Sequence, residues 1–129
     1  MIGRHLILEH WGGRSLRDAA ALEDAMRAAA RAGGATVLSA HLHPFPGGGV
    51  TGVLLLAESH VTVHTWPERG YAALDLFLCG RCDVHAAADA LDSALRPRRS
   101  ERRVIERGIE WTVEARKMSH SNHSPHPAA

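Results

Sequence analysis

The sequence predicts an α+β two-layer sandwich, a mainly antiparallel sheet with two helices on one face. Two observations lead there. Between Val50 and Cys79 three extended segments follow one another with only short breaks, and strands joined without a crossover helix pair antiparallel. Two helical segments, each ended by a stop signal, lie outside that run and complete the order β-α-β-β-β-β-α-β.

Arg4 to Trp11 alternates loosely as a strand and is broken by Gly12-Gly13-Arg14. Ser15 is the expected N-cap of the first helix, with Asp18 three residues on. Leu16 to Ala32 contains no Gly or Pro, carries Leu22, Met26 and Ala29 at helical spacing, and ends at Gly33-Gly34. Thr36 to His43 is the second strand, and Pro44-Phe45-Pro46-Gly47-Gly48-Gly49 is a loop. Val50 to Ala57 is apolar on both parities, which predicts burial of both its faces. His60 to Trp66 is a strand ended by Pro67. Tyr71 to Cys79 places Leu74, Leu76 and Leu78 on one face and Asp75, Phe77 and Cys79 on the other. Asp83 caps a helix running to about Leu95, before Pro97, and Arg102 to Arg107 is the last strand. From Lys117 onward Ser, His, Pro and Ala predominate, so residues 117–129 are expected to be a disordered tail behind one domain at 1–116. The sheet face opposite the helices carries His64, Trp66, Phe77 and Cys79, and a face of that kind calls for a partner; a homodimer is the simplest.

Composition narrows the class. The 129 residues include 15 Lys and Arg against 14 Asp and Glu, too balanced for a protein that coats nucleic acid. The longest apolar run, Val53 to Ala57, is too short to span a bilayer, and the opening residues lack the pattern of a secretory signal. With only two cysteines, no disulfide framework is expected, and a cytoplasmic location is. Cys79-Gly80-Arg81-Cys82 is a C-x-x-C. It reads alone as a redox pair or half a zinc site, for which His41 and His43 on one strand face are the further candidate ligands, but no second C-x-x-C exists and no metal is expected. The arginines at 96, 98, 99, 102 and 103 read as a solvated connection, diluted by Glu101 and Glu106.

Ser59 is a poor nucleophile unless a base or strain assists it. His60 and His64 are nearby bases, but alternation puts Ser59 and His64 on opposite faces, so the strand must bend for them to meet. Phe45, in a Pro/Gly loop of a chain with three Trp, two Phe and one Tyr, is hard to explain as core. Without further context, Ser59 is an ordinary strand-edge hydroxyl, His64 a hydrogen-bonded strand histidine and Cys79 a small buried residue.

One further pattern changes that balance. Glu58-Ser59-His60, His64-Thr65-Trp66-Pro67-Glu68, Gly70-Tyr71-Ala72-Ala73 and Cys79-Gly80, with Gly3-Arg4-His5-Leu6 and Phe45, resemble the bacterial and archaeal S-adenosylmethionine decarboxylase proenzymes over roughly residues 3–107. His10-Trp11-Gly12-Gly13 departs from the aromatic, Gly and Cys common there, and Cys82 is not expected by the family. The resemblance implies self-cleavage between Glu58 and Ser59 into a β chain, 1–58, and an α chain, 59–129, that stay together. The Ser59 hydroxyl attacks the preceding carbonyl, and elimination leaves a pyruvoyl group made from Ser59. That covalent cofactor forms a Schiff base with the substrate amine and acts as electron sink while CO2 leaves. By the same resemblance His64 is the base promoting elimination, and the Thr51 hydroxyl assists processing. Cys79 returns a proton to the substrate carbon, Phe45 and Trp66 hold the adenine, and Glu68 accepts hydrogen bonds from the ribose. The expected function is decarboxylation of S-adenosylmethionine, the step that supplies the aminopropyl donor for spermidine. Pyruvoyl-dependent decarboxylation of arginine or ornithine is the alternative on the same scaffold. A non-catalytic subunit is the alternative from another class, opposed by the intact Glu58-Ser59, His64 and Cys79.

Overall fold

The computed structural model describes residues 1–111. The expected tail at 117–129 lies outside them. Six strands form one sheet: β1 (Gly3–Trp11), β2 (Val37–Pro44), β3 (Val50–Leu56), β4 (Ser59–Trp66), β5 (Tyr71–Cys79) and β6 (Arg99–Arg107). Helices α1 (Ala19–Gly33) and α2 (Val84–Leu95) pack side by side on one face. The strand order is β2-β3-β4-β5-β1-β6, and every neighbouring pair is antiparallel. This is the expected α+β sandwich. Neither helix is long and apolar enough to cross a membrane.

The core lies between sheet and helices. Leu6, Leu8, Leu54, Leu56, Val61, Val63, Leu74, Leu76 and Leu78 meet Leu22, Met26, Ala29, Ala87, Ala88 and Leu91, all buried. Alternation puts the other parity of each strand on the open face. There the register lines up Thr51, His64 and Ala73 across three strands, and Leu55, His60 and Phe77 near their other end.

Four local expectations are corrected. Asp18, not Ser15, caps α1, accepting the Ala21 amide at 3.0 Å. Ser15 instead opens the preceding turn with φ 63° and accepts the Asp18 amide at 3.0 Å, so the helix begins at Ala19. β3 is buried on one face only, because Leu55, on the open face, is 48% exposed. β6 starts at Arg99, three residues before the expected Arg102, because Trp11 pairs with Arg99 at the far end of β1. Arg99, Arg102 and Arg103 therefore belong to an edge strand rather than to a connection, and their charge protects that edge from pairing with another chain. Arg102 also binds Asp89 at 3.0 Å and Asp92 at 2.9 Å, tying β6 to α2. Beneath it His10, 1% exposed on the core side of β1, meets Asp92 at 2.7 Å.

Candidate active site

The expected site residues fall at two opposite ends of the sheet. At one end β3 and β4 are joined by a two-residue turn, with Leu56 opposite Ser59 and Ala57-Glu58 between them. The Ala57 amide donates to the Thr36 carbonyl at 2.9 Å, which fastens the turn to the chain entering β2. Glu58 has φ 64°, in the left-handed region that an L-residue occupies at a cost of about 1–2 kcal/mol. Hairpin turns this short commonly put Gly or Asn at such a position. The strained residue is therefore the one whose carbonyl would be attacked. Ser59 is buried at 8% exposure, on the core parity of β4, and its hydroxyl donates to the Ala57 carbonyl at 3.2 Å.

A cleft of about 430 Å³ opens beside this turn, lined by Glu58, Phe77, Cys79 and Arg81 with Met1 and Ile2. Glu58 and Cys79, 21 residues apart in sequence, thus share one cleft. Phe77 holds the ring of His60 at 5.8 Å and that of His5 at 6.2 Å. The Cys79 thiol is held below the ordinary thiol range, chiefly by the Arg81 backbone amide and then by the Cys82 side chain, whose Sγ lies 3.4 Å away. Cys82 is shifted upward by burial and by Cys79.

At the other end Thr51 Oγ1 and His64 Nδ1 are 3.0 Å apart, across neighbouring strands. The His64 ring lies 6.2 Å from Trp66, which stacks on Tyr71 at 5.5 Å. Phe45 meets His43 edge-on at 4.7 Å. Phe45 is 48% exposed and Trp66 41%, so neither serves as core. Glu68 lies exposed in the 3-10 turn Pro67–Arg69 that follows.

The two ends do not meet within one chain. β4 runs unbroken from Ser59 to Trp66, so the expected bend between Ser59 and His64 is absent. Five residues of strand separate them by about 16 Å, on opposite faces. His41 and His43, on edge strand β2, stand three strands from Cys79, and among the described residues no three His, Cys, Asp or Glu side chains gather as a metal-binding set.

The sequence matches the family described as S-adenosylmethionine decarboxylase at residues 4–108. The chain belongs to the S-adenosylmethionine decarboxylase family. S-adenosylmethionine decarboxylase proenzymes of Thermomicrobium roseum and Methanococcus maripaludis are 42% and 41% identical to it, each over 84% of this chain and covering 95% and 91% of their own lengths. That of Brevibacillus brevis is 44% identical over 83% of both chains. The crystal structure of the adenosylmethionine decarboxylase from Aquifex aeolicus superposes with a TM-score of 0.71 at 33% identity, over 84% of this chain and 92% of that one.

Within this family's fold, two open-face residues stand out that the sequence left without a role. Tyr71 is sandwiched between Trp66 and Trp11, whose ring is 4.5 Å away, and its hydroxyl donates to Glu9 at 2.5 Å. Burial and Glu9 together push its pKa up to about 12, so it stays a donor. Asp75 sits mid-face between His5 at 3.1 Å and Thr62 at 3.4 Å. Both follow from placing β5 between β1 and β4, a register that no single segment displays.

Proposed function

We propose that this chain is a self-processing, pyruvoyl-dependent S-adenosylmethionine decarboxylase, forming the aminopropyl donor for spermidine synthesis. The observation that carries the reading is the left-handed Glu58 in a two-residue turn, immediately before Ser59 and in one cleft with Cys79. In the cut, Ser59 Oγ bonds to the Glu58 carbonyl carbon, the Glu58–Ser59 C–N bond breaks, and the amide becomes an ester. Release of the left-handed strain favours that exchange. A base then removes the Ser59 α-proton, and the Glu58 carboxylate departs. Hydrolysis of the resulting N-terminus releases ammonia and leaves the pyruvoyl group, whose carbonyl supplies an electron sink for decarboxylation.

His64 is the base in this reading, and it stands too far from Ser59 in its own chain. A second copy supplies it. Two open faces stacked about a two-fold axis running across the strands put the aromatic end of one over the cleavage end of the other, each twice. Stacked sheets lie about 10 Å apart, within side-chain reach. Trp66 and Phe45 then offer π-faces to the adenine and to the positively charged sulfonium, and Glu68 accepts from the ribose hydroxyls. Cys79, beside the cut, is positioned to return a proton to the substrate carbon after CO2 leaves. The half-exposed Leu55, with Ile105, gives the same face apolar area to bury.

The test is CO2 release from carboxyl-labelled S-adenosylmethionine by the purified protein, with Ser59→Ala in parallel. Release by the parent, accompanied by two chains on a denaturing gel and an α chain with no free N-terminal amine, is expected. Cleavage persisting in Ser59→Ala removes the reading.

A further inference from the structure

The C-x-x-C at the mouth of the cleft is not accounted for by the reading above, which uses only Cys79. Cys79 closes β5, and Cys82 immediately precedes Asp83, the N-cap of α2. The Cys82 amide donates to the Cys79 carbonyl at 2.9 Å, closing a four-residue turn. Such a turn holds its end Cα atoms within about 7 Å, and disulfides span about 4.4–6.8 Å between Cα atoms. The two sulfurs already lie 3.4 Å apart as free thiols, so side-chain rotation alone is enough to join them. Their surroundings differ. Cys79 faces the cleft beside Arg81, whereas Cys82 packs partly against the hydrophobic core.

We propose that Cys79 and Cys82 form a reversible dithiol–disulfide pair in which Cys79 is the attacking thiol, Cys82 the resolving one, and a small-molecule disulfide the oxidant. The Cys79 thiolate bonds to one sulfur of the oxidant, whose S–S bond breaks and expels a thiolate. Cys82 gives its proton to water and attacks the Cys79 sulfur, expelling the second thiolate. The chain loses two hydrogens and the small disulfide becomes two thiols. The thiolate is favoured at Cys79 by the Arg81 amide and disfavoured at Cys82 by burial, which assigns the order of attack. A loop this short gains little stability from its bridge, so a thiol reductant reopens it. The consequence for turnover rests on the proposed role of Cys79 as proton donor: once bridged, it has no proton to give.

The experiment treats the purified protein with oxidised glutathione and then with dithiothreitol, following alkylatable thiols and mass by peptide, and CO2 release. The parent should lose both alkylatable thiols with no glutathione retained, lose activity by about tenfold or more, and regain both on reduction. Cys82→Ser should keep its activity before oxidation and then hold glutathione at Cys79 as a lasting mixed disulfide. Two thiols still alkylatable in the parent, or a glutathione adduct as lasting as in Cys82→Ser, overturns the pair. A complete bridge with undiminished CO2 release leaves the pair standing but sinks the control of turnover and the donor role of Cys79. The thiol and mass readouts do not depend on which substrate the protein takes.

Discussion

Thr51 Oγ1 lies 3.0 Å from His64 Nδ1, so one hydroxyl on β3 fixes the orientation of the one open-face histidine that neighbours Trp66. The other ring nitrogen of His64 is left to face whatever covers the sheet. If His64 is the processing base, this bond sets which nitrogen acts. Thr51→Val removes a bond of about 1 kcal/mol and should slow self-cleavage about fivefold, whereas Thr51→Ser should cut at nearly the parent rate. A time course of the two bands on a gel measures both, and equal rates in all three proteins would separate Thr51 from processing.

A second expectation follows from Glu58. Glycine occupies the left-handed region without the steric cost borne by Glu58. Placed in an uncleavable Ser59→Ala background, Glu58→Gly should stabilise the fold by about 1 kcal/mol in a urea melt. With Ser59 intact the same change should slow the cut, because the ground state is relaxed. A faster cut would show that strain at this turn plays no part.

The separation of the two ends predicts complementation. Ser59→Ala chains keep His64, and His64→Ala chains keep Ser59; neither should cut alone. Co-expressed, they should form mixed pairs in which only the His64→Ala chains are cut. Distinguishable tags on the two chains make the result readable by mass. No cutting in the mixed pairs would mean that His64 acts within its own chain, and cutting of His64→Ala chains by themselves would mean that another base serves, with His60 the first to examine.

His10 sets an acid limit on stability. Burial, opposed by the bond to Asp92, lowers its pKa from the ordinary 6.5, with Arg102 adding a smaller push in the same direction. The folded value is thus below the unfolded one. The unfolded chain takes up the proton first as pH falls, so stability is full above 6.5 and declines as pH drops through it toward the folded value. Tm measured from about pH 7.5 to 5.5 should fall more steeply in the parent than in His10→Gln. Parallel slopes would exonerate His10.

Much of the architecture was legible because alternation and capping are local. β5 was expected and found at Tyr71–Cys79, and Asp83 caps α2 as expected. Where two capping residues compete, locality fails: Ser15 and Asp18 both suit a helix start, and the chain spends Ser15 on a left-handed turn instead. β6 was shortened because Arg99 to Glu101 carry no apolar period; only their pairing with β1 makes them strand. The candidate site residues were nameable through resemblance. Their division between two ends was not, because it depends on the direction of β4 and β5 within the sheet and on how far apart strands of eight and nine residues carry their termini.

The strand order has a further consequence for a chain cut at 58/59. The β chain would carry β1, α1, β2 and β3, and the α chain β4, β5, α2 and β6. In the sheet β1 lies between β5 and β6, clasped on both edges by the other chain. A nick at the hairpin tip breaks no rung between strands, so the two polypeptides remain interleaved and no simple sliding motion frees one from the other. Heat, however, would expose what the nick changed. Reassembly becomes a second-order event requiring β1, an interior strand flanked on both sides by the other chain, to find its slot, so the uncut precursor should renature from a melt at concentrations where the processed protein precipitates. Synthesis as one polypeptide would then be an assembly requirement as well as the proposed route to the pyruvoyl group.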